Sequence, residues 1–325
     1  MTAMIDLHLH LDGSLSQDDI AYLSKLNNVP YDPKNVRLSV DESCTSLNDY
    51  LECFAFPLKV LQTEESLTYA AYSLYTRIAR EGIIYAEVRF APQLSLSRGL
   101  NQGQVVKAVI KGYEKAHKET GIIGNFILCC MRGDHNHALN IDTVMTASKY
   151  LSKGVSALDL AGAEALFKTS TFAEEFALAK KLGIPFTIHA GEADGPASVW
   201  DALRFGAARI GHGIHSIEDP KLVAYLAKHK IPLEICPTSE VDTHCVESIK
   251  DLPIRQFLEA GVPITINTDD MTVSNVTLEG EYDKVIRTFN LSDDEVKTLW
   301  FNAVDAAFLD EKGKNELRKR LGEIL

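Results

Sequence analysis

The chain has 325 residues, 46% of them hydrophobic and 24% charged, with 20 Gly and 11 Pro, a globular composition that excludes collagen-like, coiled-coil and disordered classes. Its 45 acids against 33 Lys and Arg give a formal charge of −12, which repels phosphate polymers and argues against nucleic-acid binding. No apolar run approaches the ~18 residues a membrane helix needs, and the start, MTAMIDLHLHLDG, has an acid and two His where a signal peptide would be basic and then apolar, so a cytoplasmic protein is expected.

In chain order, short apolar or β-branched runs alternate with longer amphipathic ones. Strands are expected at 4–10, 83–91, 122–131, 154–160, 185–190, 209–212, 232–236 and 262–267, with helices at 64–80, 105–119, 172–182, 197–205, 220–228 and 254–260. Length alone suggests two domains. Eight βα units point instead to one α/β domain over 1–325, a closed (β/α)8 TIM barrel. The competing open doubly wound sheet usually carries GxGxxG after its first strand; here LDGSL follows. The stretch 12–80 is too long for one crossover and is expected to hold a helical lid over the barrel mouth. Residues 272–325 read as C-terminal helices, with Ser292 and Glu295 as a capping box. Cys44, Cys53, Cys129, Cys130, Cys236 and Cys245 include no CxxC pair. They are expected to be reduced thiols, and the missing pair argues against zinc fingers and cysteine-ligated zinc deaminases.

Barrel enzymes place their chemistry at the C-terminal ends of the strands. Strand one ends in His8-Leu9-His10, whose imidazoles face one side because strand residues two apart do so. Strand five ends in His189-Ala190-Gly191-Glu192, strand six in Gly211-His212-Gly213 and strand eight in Asn267-Thr268-Asp269-Asp270. Alone, each has a bland reading: polar barrel residues, a packed histidine, a tight turn, acids at a helix start. Together they converge on one point. Three imidazoles and a carboxylate suit a divalent ion such as zinc with one open position, leaving Glu192, His212 and Asp270 for acid–base and orienting work. Strand four ends in Asp159-Leu160-Ala161-Gly162 with no lysine that could bridge two metals, so one metal per chain is expected.

DLHLHLDGSL, DLAGAE, HAGEADGP, RIGHGIHSIED, ICPTS and NTDD, in this order, resemble the adenosine deaminase family of the metal-dependent amidohydrolases. The resemblance implies one Zn2+ on His8, His10, His189 and Asp269. It implies Glu192 as proton donor to purine N1, His212 as the residue orienting the attacking hydroxide, and Asp270 as partner of N7. Gly162 would meet N3 through its N–H, where a missing side chain lets the base approach. Asp12 would hold the ribose 5′-hydroxyl, His10 would border the substrate, and Phe54, in YLECFAF, would belong to an apolar lid shared with Tyr50 and Leu51. The implied activity is hydrolysis of adenosine and 2′-deoxyadenosine to the inosine products and ammonia, on a small purine nucleoside. Adenine or another 6-aminopurine nucleoside is the alternative substrate. Further alternatives are a nucleoside-binding barrel without turnover, for which the ligand set should be broken, and hydrolysis of a cyclic amide.

Several positions depart from the family pattern. Glu240 follows CPTS where a neutral residue is common, and is expected to be an exposed loop acid, with altered substrate-rim chemistry as the functional reading. Met271 stands where Pro is common and should loosen the backbone. Gln93 stands where some relatives have His. His135 and His137 are expected in a loop without a second metal, and His215 and His244 at the surface or rim. The sequons at Asn275 and Asn290 carry no meaning without secretion.

Overall fold

The computed structural model describes residues 3–41 and 43–322; the few other positions of the expected 1–325 domain and 272–325 tail lie outside them. Eight parallel strands occur, β1 (Met4–His10), β2 (Ile83–Phe90), β3 (Ile123–Met131), β4 (Val155–Ala161), β5 (His189–Ala190), β6 (Ile210–His212), β7 (Leu233–Ile235) and β8 (Ile264–Ile266). Regular pairing runs β1-β2-β3-β4 and β5-β6-β7-β8. Both seams between these halves are bridged. Leu158 N donates to Pro185 O and Thr187 N to Leu158 O, each at 3.0 Å; on the other side His10 N donates to Asp269 O and Asp269 N to His8 O, each at 2.8 Å. The ring therefore closes as the expected TIM barrel. The strands of the second half are short. Pro185, Pro232 and Pro263 lie just before their regular pairing and join the ring through their carbonyls, because proline has no N–H to give.

Helices pack outside the ring. α1 (Gln17–Asn27), α2 (Leu47–Leu51), α3 (Ala55–Val60) and α4 (Glu64–Arg80) lie between β1 and β2. α4 packs along α5 (Gln102–Thr120), and a Cβ on Gly112 would stand 2.2 Å from Thr68 O, so glycine sets that approach. Asn101 and Gln104 start α5 with a capping box, and left-handed Gly121 ends it. α6 (His137–Tyr150), α7 (Ala173–Lys181), α8 (Pro196–Phe205), α9 (Pro220–His229), α10 (Pro237–Asp242) and α11 (Ile254–Ala260) complete the alternation. α12 (Leu278–Phe289), α13 (Asp293–Ala306) and α14 (Glu311–Gly322) follow, and the Ser292–Glu295 capping box is present. After α13 the chain crosses the barrel floor. There Arg209 donates to Ala306 O at 2.8 Å, and Phe308 N donates to Glu87 Oε1 at 2.6 Å. Among the described residues no helix is long and apolar enough to cross a membrane.

Candidate metal centre and its cavity

The strand ends at the barrel mouth bring His8, His10, His189 and Asp269 together. His8 Nε2 lies 3.1 Å from His189 Nε2 and 3.2 Å from Asp269 Oδ1, while His10 Nε2 lies 3.3 Å from His189 Nε2 and 3.4 Å from Asp269 Oδ1. Each outer ring nitrogen of His8 and His189 faces a carboxylate: His8 Nδ1 is 2.8 Å from Glu234 Oε2, and His189 Nδ1 is 2.9 Å from Asp159 Oδ2. Burial opposes ionisation of Asp159 and Glu234. The His189 ring, which gains its charge only in acid, and the Arg89 guanidinium nevertheless hold Asp159 well below its usual range, and the guanidinium groups of Arg89 and Arg209 do so for Glu234. A ring proton on His8 Nδ1 would meet Glu234 and leave its Nε2 lone pair facing His189 Nε2, whereas His189 Nδ1 is in contact with Asp159 without a well-directed hydrogen bond. Burial also depresses His10 strongly and takes His189 to about 4, so neither ring relieves the contact by protonating at neutral pH. Burial pushes Asp269 up, but the neighbouring imidazoles of His8, His212 and His10 hold it well below the carboxylate range. Three imidazoles and one carboxylate whose ligand atoms converge are a donor set for a divalent cation.

Two site residues have strained backbones. His212 has φ 60° and Asp269 φ 59°, in the left-handed region that bulky residues avoid. Ring closure at the β1 seam holds Asp269, whose N–H and C=O are both bound by β1.

Three acids surround these four residues. Burial lifts Glu192 to about 8, against the pull of His212. Burial and the Asp269 charge raise Asp270 well above its usual value, so it is a neutral acid whose Oδ2 accepts from Tyr50 Oη at 3.1 Å. Burial lifts Asp12 to about 6. Oδ1 of Asp12 and Oδ1 of Asp270 are buried without partners. Gly13 permits this packing, since a Cβ there would fall 1.7 Å from Asp270 Oδ1.

These groups open on a cavity of about 300 Å3 roofed by Leu47, Tyr50, Leu51, Phe54 and Leu58 and bordered by Gly162. Gly162 has φ +102° and would need strain to carry a side chain. Arg132 also lines the cavity, but its guanidinium is engaged by His189 O and Phe167 O, each at 2.6 Å, and by Thr169 Oγ1 at 3.0 Å. The roof is tied down by His244 Nε2, 2.7 Å from Cys44 O, and by Val40 N, which donates to Val273 O at 3.0 Å.

Two departures behave differently from expectation. Glu240 is fully buried rather than an exposed loop acid, and its Oε1 lies 3.1 Å from His212 Nδ1. It sits in the inward-facing first turn of α10. Met271 does not loosen the backbone: its N–H donates to Ser14 Oγ at 3.1 Å, a bond proline could not make. Gln93 is buried and donates to Asn140 Oδ1 at 2.9 Å. His137 begins α6 as an exposed residue 3.0 Å from Glu175, and His135 is exposed before it. His215 is half-buried, with Nδ1 3.2 Å from Gly191 O, and His244 is exposed.

Arg89, which no sequence motif marks, joins Asp159 and Glu234, each at 2.8 Å. Glu164 accepts the N–H groups of Gly191, Glu192, Ala193 and Asp194 at 2.7–3.1 Å and so shapes the loop presenting Glu192, a role left unassigned from the sequence. Glu164 is the acid of DLAGAE, and its place inside that motif was the available signal.

The adenosine deaminase family profile matches residues 4–324. An adenosine deaminase of Haemophilus ducreyi is 45% identical over 97% of this chain and 94% of its own length. Among solved structures, an adenine deaminase from Arthrobacter aurescens superposes with TM-score 0.89 at 25% identity, covering 99% of both chains. An Arabidopsis N6-mAMP deaminase does so with TM-score 0.89 at 26% identity, covering 99% of this chain and 98% of that one. With its closed barrel, its histidine-rich strand ends and its full-length match, the chain belongs to the adenosine deaminase family.

Proposed function

We propose that the protein hydrolyses adenosine and 2′-deoxyadenosine to inosine and 2′-deoxyinosine with release of ammonia, using one zinc ion held by His8, His10, His189 and Asp269. The observation that carries this reading is the placement of a proton-bearing Glu192 beside the converging imidazoles, under an apolar roof. A zinc ion there would supply a water acidified to near neutral pKa as the nucleophile.

The chain's own groups do the rest. Glu192, protonated at neutral pH, gives its proton to purine N1 as oxygen adds to C6. His212 stands 3.7 Å from Glu192 and 3.9 Å from Asp269, where it orients the attacking oxygen and balances its charge. Asp270, a neutral acid, donates to N7, and the Gly162 N–H meets N3. The proton of the added hydroxyl then passes to the C6 amino group, the C6–N bond breaks to release ammonia, and the oxygen stays as the C6 carbonyl beside the N1–H that Glu192 supplied. The roof, including Phe54, keeps bulk water from the adduct.

A nucleoside fits better than a nucleotide. The single arginine among the cavity residues is already engaged, and ionised Asp12 repels phosphate. Adenine and N6-modified nucleotides, suggested by the structural neighbours, are the competing substrates. Ammonia release by the zinc-loaded protein from adenosine, 2′-deoxyadenosine, adenine, AMP and N6-methyl-AMP separates them. The expected result is turnover of the first two, at least tenfold above the others in kcat/KM. No ammonia from adenosine with zinc bound would sink the reading.

A further inference from the structure

Glu240 is a fully buried acid with one oxygen accounted for and one not. Its Oε1 lies 3.1 Å from His212 Nδ1, and its Oε2 is buried without a hydrogen-bond partner. The residue is fixed from the backbone: its N–H donates to Cys236 O at 3.0 Å, and its carbonyl accepts from Cys245 N at 2.9 Å and Val246 N at 3.1 Å. The loop after α10 thus folds back over Glu240 and keeps it from solvent.

His212 lies among three acids. Nδ1 faces Glu240, while Nε2 faces Glu192 at 3.7 Å and Asp269 at 3.9 Å. The imidazole has one free rotation that would exchange its edges, and only the Nε2 edge points at the reacting centre. A proton on Nδ1 gives the Glu240 oxygen a donor at 3.1 Å, which the C–H edge presented after a ring flip could not. A buried acid is costly without a hydrogen-bond partner, and the His212 ring is the side chain that supplies one to Glu240.

We propose that Glu240 is a positioning residue of the deamination: it takes the Nδ1–H of His212 and thereby fixes the ring with Nε2 toward Asp269 and Glu192. This rests on the proposed function for its kinetic consequence but not for its geometry, and the test separates the two. Glu240→Leu removes the acceptor; Glu240→Gln keeps an amide oxygen that can accept Nδ1–H without the charge. In zinc-loaded protein, E240L should lower kcat for adenosine about 100-fold with KM changed less than threefold, and E240Q should recover to within tenfold of the parent. The loss in E240L should vanish when His212 is already Asn, so that H212N and E240L/H212N turn over equally. A merely structural role would lower both backgrounds alike, and that result would overturn the proposal. Nitrogen NMR of labelled histidine, with the His212 signal identified by its disappearance in H212N, gives a readout independent of turnover. Nδ1 of His212 should carry a slowly exchanging proton in the parent and in E240Q, and lose that protection in E240L. Equal protection in E240L would also overturn the proposal. If the parent releases no ammonia from adenosine, the proposed function fails, and the Nδ1 signal alone decides the role of Glu240.

Discussion

The phenol of Tyr50 donates to Asp270 Oδ2 at 3.1 Å, joining the roof of the cavity to the acid at the end of β8. Ser274 Oγ lies 3.0 Å from the same phenol oxygen, so the ring is pinned by two groups of the β8 loop. The roof helix therefore carries more than an apolar face. Its seating also orients the carboxyl proposed to meet purine N7.

Removing that phenol tests the coupling. Tyr50→Phe keeps the ring packing and deletes one buried hydrogen bond, a net loss of about 0.5–1.5 kcal/mol. KM for adenosine should rise about 3–10-fold while kcat falls less, and hydrogen exchange at 46–54 should quicken. Unchanged exchange together with an unchanged KM would mean that the roof is held by packing alone.

The acid at Glu192 sets a pH limit. Its carboxyl is lifted to about 8, chiefly by burial, so the proton-bearing form dominates below that value and is lost above it. If Glu192 donates to N1, kcat should be level on the alkaline side up to about pH 8 and then fall tenfold per pH unit. Glu192→Gln should keep its zinc and lose turnover by roughly 100-fold or more, the usual scale for a positioned general acid. Loss of zinc from E192Q would show that Glu192 is a ligand instead.

Arg89 spans the carboxylates that face His189 and His8, touching Asp159 and Glu234 at 2.8 Å each. Arg209 continues the chain of charges from Glu234 at 2.6 Å to Glu87 at 2.7 Å on the barrel floor. Arg89→Met would leave two buried carboxylates without this shared charge, a loss of about 3–5 kcal/mol. Arg89→Lys keeps the charge but reaches one carboxylate instead of two. Folded R89K should bind zinc about 10–100-fold more weakly, the usual penalty for disturbing the partners of metal-ligating histidines. Competition against a chelator measures this, and parent-like zinc affinity in R89K would refute the link.

The same network explains where the sequence was readable and where it was not. The alternation of β1 puts His8 and His10 on one face, and short motifs carry Glu192, His212 and Asp269, so these residues stand out locally. The partners do not: His8 and Glu234 are 226 positions apart, and only closure of the ring brings them together. Glutamate is usually exposed, but the packing that buries Glu240 is set by the loop after α10, which no local pattern announces. At Met271 the N–H gained over proline matters only once Ser14 lies beside it.

Asp12 offers a prediction in which stability and substrate binding separate. Its side chain is 8% exposed with Oδ1 unpartnered, and burial raises its pKa from 3.8 to about 6, against the pull of backbone N–H groups at Asp12 and Gly13. The folded state then binds the proton more tightly than the unfolded state. The resulting stabilisation is fully present below pH 3.8, shrinks as pH rises through this window, and is gone above about 6. Asp12→Asn cannot ionise, so its stability relative to the parent should climb between pH 4 and 6 and then level, gaining up to about 3 kcal/mol. Urea denaturation of the zinc-loaded proteins at several pH values measures this, and a flat difference from pH 4 to 8 would show that the carboxyl is not held in a desolvated place. If Asp12 also receives the ribose 5′-hydroxyl, D12N should raise KM for adenosine while leaving KM for 5′-deoxyadenosine within twofold, since that analogue has no hydroxyl to lose.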